Sequence, residues 1–299
     1  MSQSLIAIEG TEAGLRLAMM LALSAAFLHA LLGAMQKARY DPWLSRASID
    51  VFAALIALPL VLFVVPWPEP HMWPIFGFVL LVHFGYKVLM AMAYSRGAYT
   101  VVYPVTRGTA PVFTVIGSWF VFGETFSAGQ WLGVAVLMGG IYGLAIYNLR
   151  HVTVDRATLL PALWLAVATG AFVALYTTVD AYGIRATADP FTFLAWFYLI
   201  DSFYMPLLWW LRGGRLPRGE LLPLVRFGII GALVAMASFG SIMLATRLGP
   251  VGQAAVLRET SILFAAALGW LWLGDRLGPR RLALMGLIAA GAVIVQVAA

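Results

Sequence analysis

Apolar residues fill the chain in ten runs, each set off from the next by a short polar, glycine-marked or proline-marked break. The runs predict helices near residues 14–37, 47–66, 72–95, 98–122, 129–148, 159–180, 189–211, 224–247, 250–273 and 280–298. Each is close to the roughly 20 apolar residues needed to cross a hydrocarbon layer about 30 Å thick. Turn chemistry marks the breaks, as in Pro66-Trp67-Pro68-Glu69-Pro70, Gly213-Gly214 and Gly278-Pro279. The weakest break, at Arg96-Gly97, demands a tight helical hairpin. Trp43, Trp67, Trp73, Trp209 and Trp210 fall at run ends, where interfacial aromatic belts place them.

Composition agrees with this pattern. Of 299 residues, 62% are hydrophobic and 11% charged, whereas soluble domains hold roughly 25% charged residues. Ten crossings use nearly the whole chain, so the expected fold is an all-α membrane protein with no separate soluble domain. Glu9 and Glu12 precede the first run and Lys37 and Arg39 follow it, the reverse of a secretory signal, so it reads as a retained helix. The lack of cysteine excludes disulfides and thiolate metal sites.

The net charge of +6 comes from basic residues between apolar runs, which points to membrane topology and away from nucleic acid. Lys37, Arg39, Arg46, Arg96, Arg150, Arg156, Arg212, Arg215, Arg218, Arg276, Arg280 and Arg281 fall on one side, against Arg16, Arg185 and Arg247 on the other. This bias places the first side in the cytoplasm and both termini outside, with a bacterial inner (plasma) membrane as the expected location.

The chain also repeats itself at an offset of 151 residues. Gly123-Glu124 matches Gly274-Asp275, Arg107 matches Arg258, Asp50 matches Asp201 and Trp119 matches Trp270. The halves, 1–150 and 151–299, would each hold five helices, and an odd number inverts the second half. Loop charges agree, because the loops after helices two and four lack Lys and Arg while their counterparts carry them. Inverted repeats are a common transporter architecture, with the substrate site near the midplane between the halves.

Two segments resemble a known family. One runs Tyr103-Pro104-Val105-Thr106-Arg107-Gly108-Thr109-Ala110-Pro111, then Phe122-Gly123-Glu124 and Gly139-Gly140; the other runs Arg258-Glu259-Thr260-Ser261, then Leu273-Gly274-Asp275 and Gly291. The pattern resembles the EamA-type branch of the drug/metabolite transporter (DMT) superfamily. The resemblance implies ten transmembrane helices in two inverted five-helix repeats around a central cavity, and export of amino acids or similar metabolites. Asp275 stands where the family usually has Glu, and the charge bias puts the termini opposite to where many relatives are drawn.

Charges deep in a membrane are costly and normally face a partner or a wet cavity. The deep bases are Lys87, Arg107 and Arg258, the candidate substrate-binding cations, and the deep acids are Asp50, Asp201 and Glu259. Arg107, flanked by the helix-kinking hinge residues Pro104 and Pro111, either binds a substrate anion or pairs with Glu259 or Asp201. Glu259 is the candidate proton-coupling acid, with Asp50 and Asp201 as further coupling or ion-pair positions. His29, His83, Tyr86, Tyr103 and Tyr176 are the candidate cavity-wall residues, and Trp164 and Trp196 could also face inward. No metal-ligand pattern and no Walker motif occurs, so no metal, cofactor or ATP is expected.

The expected function is a secondary transporter, exporter or exchanger, of an amino acid or other zwitterion or organic anion, working by alternating access. The alternatives are an exporter of cationic amines or drugs and a membrane-embedded lipid-modifying enzyme, the latter without a GxSxG motif to support it. The expected partners are the small-molecule substrate and membrane lipid. Gly129/Gly133 and Gly139/Gly143 on helix five, echoed by Gly286/Ala290 on helix ten, allow close helix packing. Packing within one chain, hence a monomer, is favoured over a homodimer.

Overall fold

The protein is described by a computed structural model covering residues 2–37, 40–96, 99–150, 156–216, 219–273 and 278–299. Helices account for nearly all of it, and no strand occurs among the described residues. A short α1 (Ser2–Ile6) precedes α2 (Glu12–Lys37), α3 (Pro42–Phe63), α4 (Met72–Arg96), α5 (Tyr99–Phe122) and α6 (Ala128–Leu149). The second half holds α7 (Arg156–Ala186), α8 (Pro190–Asp201), α9 (Tyr204–Leu211), α10 (Leu221–Leu248), α11 (Val251–Arg258), α12 (Ser261–Leu273) and α13 (Pro279–Val297).

Nine segments among the described residues are long and apolar enough to cross a membrane, with α8–α9 and α11–α12 each forming one crossing. The 24-residue α5, diluted by Arg107 and its prolines, completes ten. Large apolar side chains such as Phe63, Phe120, Trp164 and Leu271 stand exposed, as a lipid-facing surface requires. Trp164, an expected inward-facing residue, is among them.

Local chemistry moves several boundaries. The Asp41 side chain accepts from the Trp43 and Leu44 amides, and Pro42 takes the first helical position. That cap starts α3 five residues earlier than the apolar run and draws Arg46 out of the loop into the helix. A capping box of Ser127 and Gln130 opens α6. Gly123 turns the chain out of α5 at φ +68, a conformation that suits glycine.

The seventh and ninth crossings are broken, unlike their first-half counterparts. Pro206 cannot donate to the Ser202 carbonyl one turn earlier, so α8 ends at Asp201 and α9 restarts at Tyr204. The ninth crossing breaks at Glu259-Thr260, where tight bonds run from Glu259 N–H to Val256 O and from Thr260 N–H to Leu257 O. The Thr260 hydroxyl also donates to Leu257 O at 2.6 Å. In contrast, α5 runs unbroken through Pro104 and Pro111.

The most extensive helix pairs map onto one another when the halves are exchanged, whereas α3–α10 packs more closely than its counterpart α4–α8. The α2–α10 pair corresponds to α7–α4, and α5–α7 corresponds to the packing of α11 and α12 on α2. The α6–α13 and α5–α11 pairs and the packing of α3 on α8 and α9 correspond to themselves. This pairing is what a twofold axis between two five-helix halves produces.

The α6–α13 contact uses the expected Gly129/Gly133 pair and Gly143, where a Cβ would meet Ala298, Val295 and Leu284, and it adds Gly140 and Gly291. A Cβ on Gly140 would meet Ile288, and one on Gly291 would meet the Leu137 backbone. Gly139 and Gly286 face open space instead. Val134, Leu137, Ile141, Ile288 and Val295 fill the core beside this seam.

Candidate functional site

Between the halves lies a cavity of about 130 Å³. His29 reaches it from α2, Arg46 and Asp50 from α3, and His83, Tyr86 and Lys87 from α4. The second half contributes Tyr176 of α7, Phe197, Tyr198 and Asp201 of α8, Phe239 of α10 and Arg258 of α11. Six of the eight expected substrate residues (Arg258, Lys87, Tyr86, His83, His29 and Tyr176) therefore meet at one wall, with Asp50 and Asp201. Arg107, Tyr103 and Glu259 lie behind it.

The charges form two linked groups. In the first, Lys87 Nζ lies 2.9 Å from Asp201 Oδ2 and 3.7 Å from Asp50 Oδ2. Arg46 pairs with Asp50 one turn along α3 at 2.9 Å and reaches Asp201 at 3.8 Å. The Tyr204 hydroxyl donates to Asp201 Oδ1 at 2.8 Å, and its ring sits 4.3 Å from Lys87 Nζ. Asp201 thus accepts from two donors, Lys87 and Tyr204, because the break after α8 lets its side chain and Tyr204 turn to the same point.

In the second group, Arg107 pairs with Glu259 at 3.3 Å and contacts His29 Nε2. This answers which acid meets Arg107: Glu259 does, and Asp201 serves Lys87 instead. Arg258 donates to the Tyr176 hydroxyl at 3.2 Å and makes no ion pair among the described residues. It is nearly buried, at 9% exposure. The two arginines related by the repeat therefore differ. Arg107 is neutralised inside the protein, whereas Arg258 presents an unneutralised charge to the cavity.

A third pair joins α4 to α7, with His83 Nε2 2.8 Å from Asp180 Oδ2. Neither Asp180 nor Tyr204 was singled out by the sequence. Asp180 sat at the end of the expected span 159–180, but α7 continues to Ala186 and places it in the interior.

One end of the molecule is sealed. Phe76, Phe193, Phe197, Ile242, Met243, Leu248 and Leu257 pack below the cavity. Beyond them, Arg247 donates to Ile184 O and Thr187 O and pairs with Glu9. Arg185 bonds Thr246 O and Gly249 O, both at 2.8 Å, and lies 3.5 Å from Glu124. Glu124 in turn accepts from the Val251 and Gly252 amides at the start of α11. Glu69 accepts from Thr187 and from the Ala188 amide. Partial burial pushes the Glu69 carboxyl up, but these hydrogen bonds outweigh it and hold the group below its ordinary value. At the other end Arg46, 31% exposed, marks the mouth.

The EamA-like transporter family profile matches the sequence twice, over residues 16–146 and 160–297. The chain belongs to the EamA-like transporter family. Its members are transporters rather than enzymes, so the lipid-modifying alternative falls away and the chain is a multi-pass integral membrane protein. A solved crystal structure superposes with a TM-score of 0.77 at 19% identity, covering 94% of this chain and 99% of that one, a likeness of fold. An uncharacterised protein from Sinorhizobium fredii, y4nH, is 36% identical over 66 residues. The match spans 22% of this transporter and 56% of that relative.

Some expected positions fall outside the described residues. These are Arg39, Gly97, Arg218, the Gly274-Asp275 pair that would mirror Glu124, and Arg276. Among the described residues, no cluster of His, Asp or Glu is arranged to hold a metal ion.

Proposed function

We propose that this transporter carries a small zwitterion, an amino acid or a close analogue, by alternating access, as an exporter or exchanger. The observation that carries the reading is Arg258. A buried guanidinium normally needs a carboxylate partner, and here, among the described residues, a tyrosine hydroxyl meets it instead. A substrate carboxylate completes the site. Asp50 Oδ2, buried and without a hydrogen-bond partner among the described residues, is the receptor for the substrate's ammonium, with Lys87 able to give way to it. Tyr86, Tyr176, Phe197 and Phe239 provide apolar faces for the side chain.

The units that move are the halves 1–150 and 151–299, and the cavity mouth faces the cytoplasm, the side richer in basic loops. A single chain is sufficient, since the glycine faces of α6 and α13 are used within it. A second reading, a cationic amine, is favoured by the same Asp50 oxygen and aromatic wall.

Proteoliposome uptake of a radiolabelled amino-acid panel tests this. Replacing Arg258 with Gln removes a charged hydrogen bond of about 1.5–3 kcal/mol, an affinity loss of roughly 10- to 100-fold. An unchanged affinity would remove the carboxylate role. Uptake of amines alone would favour the second reading.

A further inference from the structure

The reading above leaves the energy source open, and the pair between α4 and α7 bears on it. Asp180 has no solvent exposure, and its Oδ1 finds no partner among the described residues. Its Oδ2 meets His83 Nε2 at 2.8 Å. Such a contact requires one hydrogen between oxygen and nitrogen. If the other imidazole nitrogen, Nδ1, is bare, the pair carries a net negative charge in the interior. If Nδ1 bears a hydrogen, the pair is neutral overall, as carboxylate with imidazolium or as carboxylic acid with imidazole. A buried pair favours the neutral form. The hydrogen that can be gained or lost therefore sits on Nδ1.

Nδ1 is also the nitrogen that faces the charged cavity, 3.9 Å from Asp201 Oδ1. His83 lines the cavity while Asp180 stays behind it. The imidazole is held in place by rings, with Tyr176 at 4.7 Å, Phe197 at 5.0 Å and Phe239 at 6.0 Å between centroids. The close approach of α4 and α7 is set at Gly85, where a Cβ would sit 2.6 Å from Phe172.

Among the described residues, the other charges around the pair are met by opposite charges, except Arg258. On its own helix, Lys87 binds Asp201 and Tyr86 lies by Tyr176. From α3, Arg46 and Asp50 bind each other. From α5, Arg107 is paired with Glu259, and from α11, Arg258 bonds Tyr176. From α10 comes only the uncharged Phe239.

We infer that His83 and Asp180 form a proton-binding site that couples transport to the proton gradient. The inference rests on the transporter reading. One proton binds Nδ1 from the cavity side as the pair goes from net negative to neutral, and the same N–H bond breaks to return it through Asp201. Glu259, tied to Arg107, is then a structural partner.

The test uses the full chain in two arms. In the first, protein labelled with ¹⁵N-histidine is followed by NMR from about pH 5 to pH 8, the range where histidine titrates. The chain has four histidines, so single substitutions assign them. The expected result is a His83 Nδ1 hydrogen present in acid and lost in alkali, and a changed protonation pattern in Asp180→Asn. A bare Nδ1 throughout, or a pattern indifferent to Asp180→Asn, overturns the site.

In the second arm, liposomes holding a pH-sensitive dye receive a radiolabelled amino-acid mixture. Wild-type uptake should move the dye signal. Asp180→Asn, which lies behind the cavity wall, should lose that movement while keeping counterflow of labelled for unlabelled amino acid. Wild-type uptake with no dye signal overturns the coupling. A wild type that takes up none of the mixture counts against the substrate reading alone, and the NMR arm then decides the site.

Discussion

The two ends of the bundle are built from equivalent residues and hold opposite arrangements. Arg247 at the sealed end and Arg96 at the mouth stand 151 residues apart, the offset of the repeat. Arg247 is nearly buried and ties two carbonyls of the α7 end to Glu9. Arg96 is exposed and, among the described residues, bonds Met92 O of its own helix. Glu69 and Glu220 form another such pair. Glu69 holds Thr187 and Ala188 through three bonds, and Glu220 accepts from the Tyr40 hydroxyl at 3.3 Å. The difference shows that closure is not a property of the residues themselves. The same arginine makes a seal where helix ends converge and, among the described residues, bonds only its own helix where they spread.

Four substitutions would break or sharpen this contrast. Because the chain has no cysteine, a single Ala25→Cys below the cavity reports opening by its rate of thiol labelling. Arg247→Ala should have the largest effect, since it removes several charge-assisted contacts worth about 1.5–3 kcal/mol each. Labelling should speed up sharply, and an unchanged rate would mean Arg247 does not hold the end shut. Glu124→Gln strips a charged cap from α11 and a partner from Arg185, an expected loss of about 1–2 kcal/mol read as a lowered melting temperature and faster labelling.

Glu69→Gln should cost less, at most about 1 kcal/mol for so exposed a group. Its carboxyl is depressed in the folded protein, so its contribution is present above the unfolded value of about 4.3 and lost as pH falls through the folded one. The melting-temperature difference between wild type and Glu69→Gln should therefore vanish in acid. Arg96→Ala should shift the melting temperature least, within about 0.5 kcal/mol, because among the described residues it bonds only its own helix.

Much of this was legible beforehand. Ten apolar runs became ten crossings, because lipid leaves a chain few options besides helices. The offset of 151 placed Arg107 with Arg258 and Asp50 with Asp201 before any contact was seen. Arg96 and Arg247 share the offset too, but as basic residues at run ends they were read only as topology signals. Arg46 was misplaced because a capped Asp41-Pro42 extends α3 beyond its apolar run. The break at Ser202 had a signal in Pro206, whereas the break at Glu259-Thr260 had no proline to announce it. Which acid meets which base could not be read from one dimension, since it depends on how α3, α4, α5 and the broken crossings lean together. Asp180 stayed hidden because its role needs His83 from another helix.

The arginine staples at the sealed end have one more consequence. A carrier that lets both doors stand ajar becomes a hole and drains the gradient it lives on. Arg185 and Arg247 each grip two carbonyls of a neighbouring helix end and a carboxylate besides, so one contact can hardly yield alone. On the proposed cycle that door opens as a whole or not at all, and stray ions and water find no half-open passage.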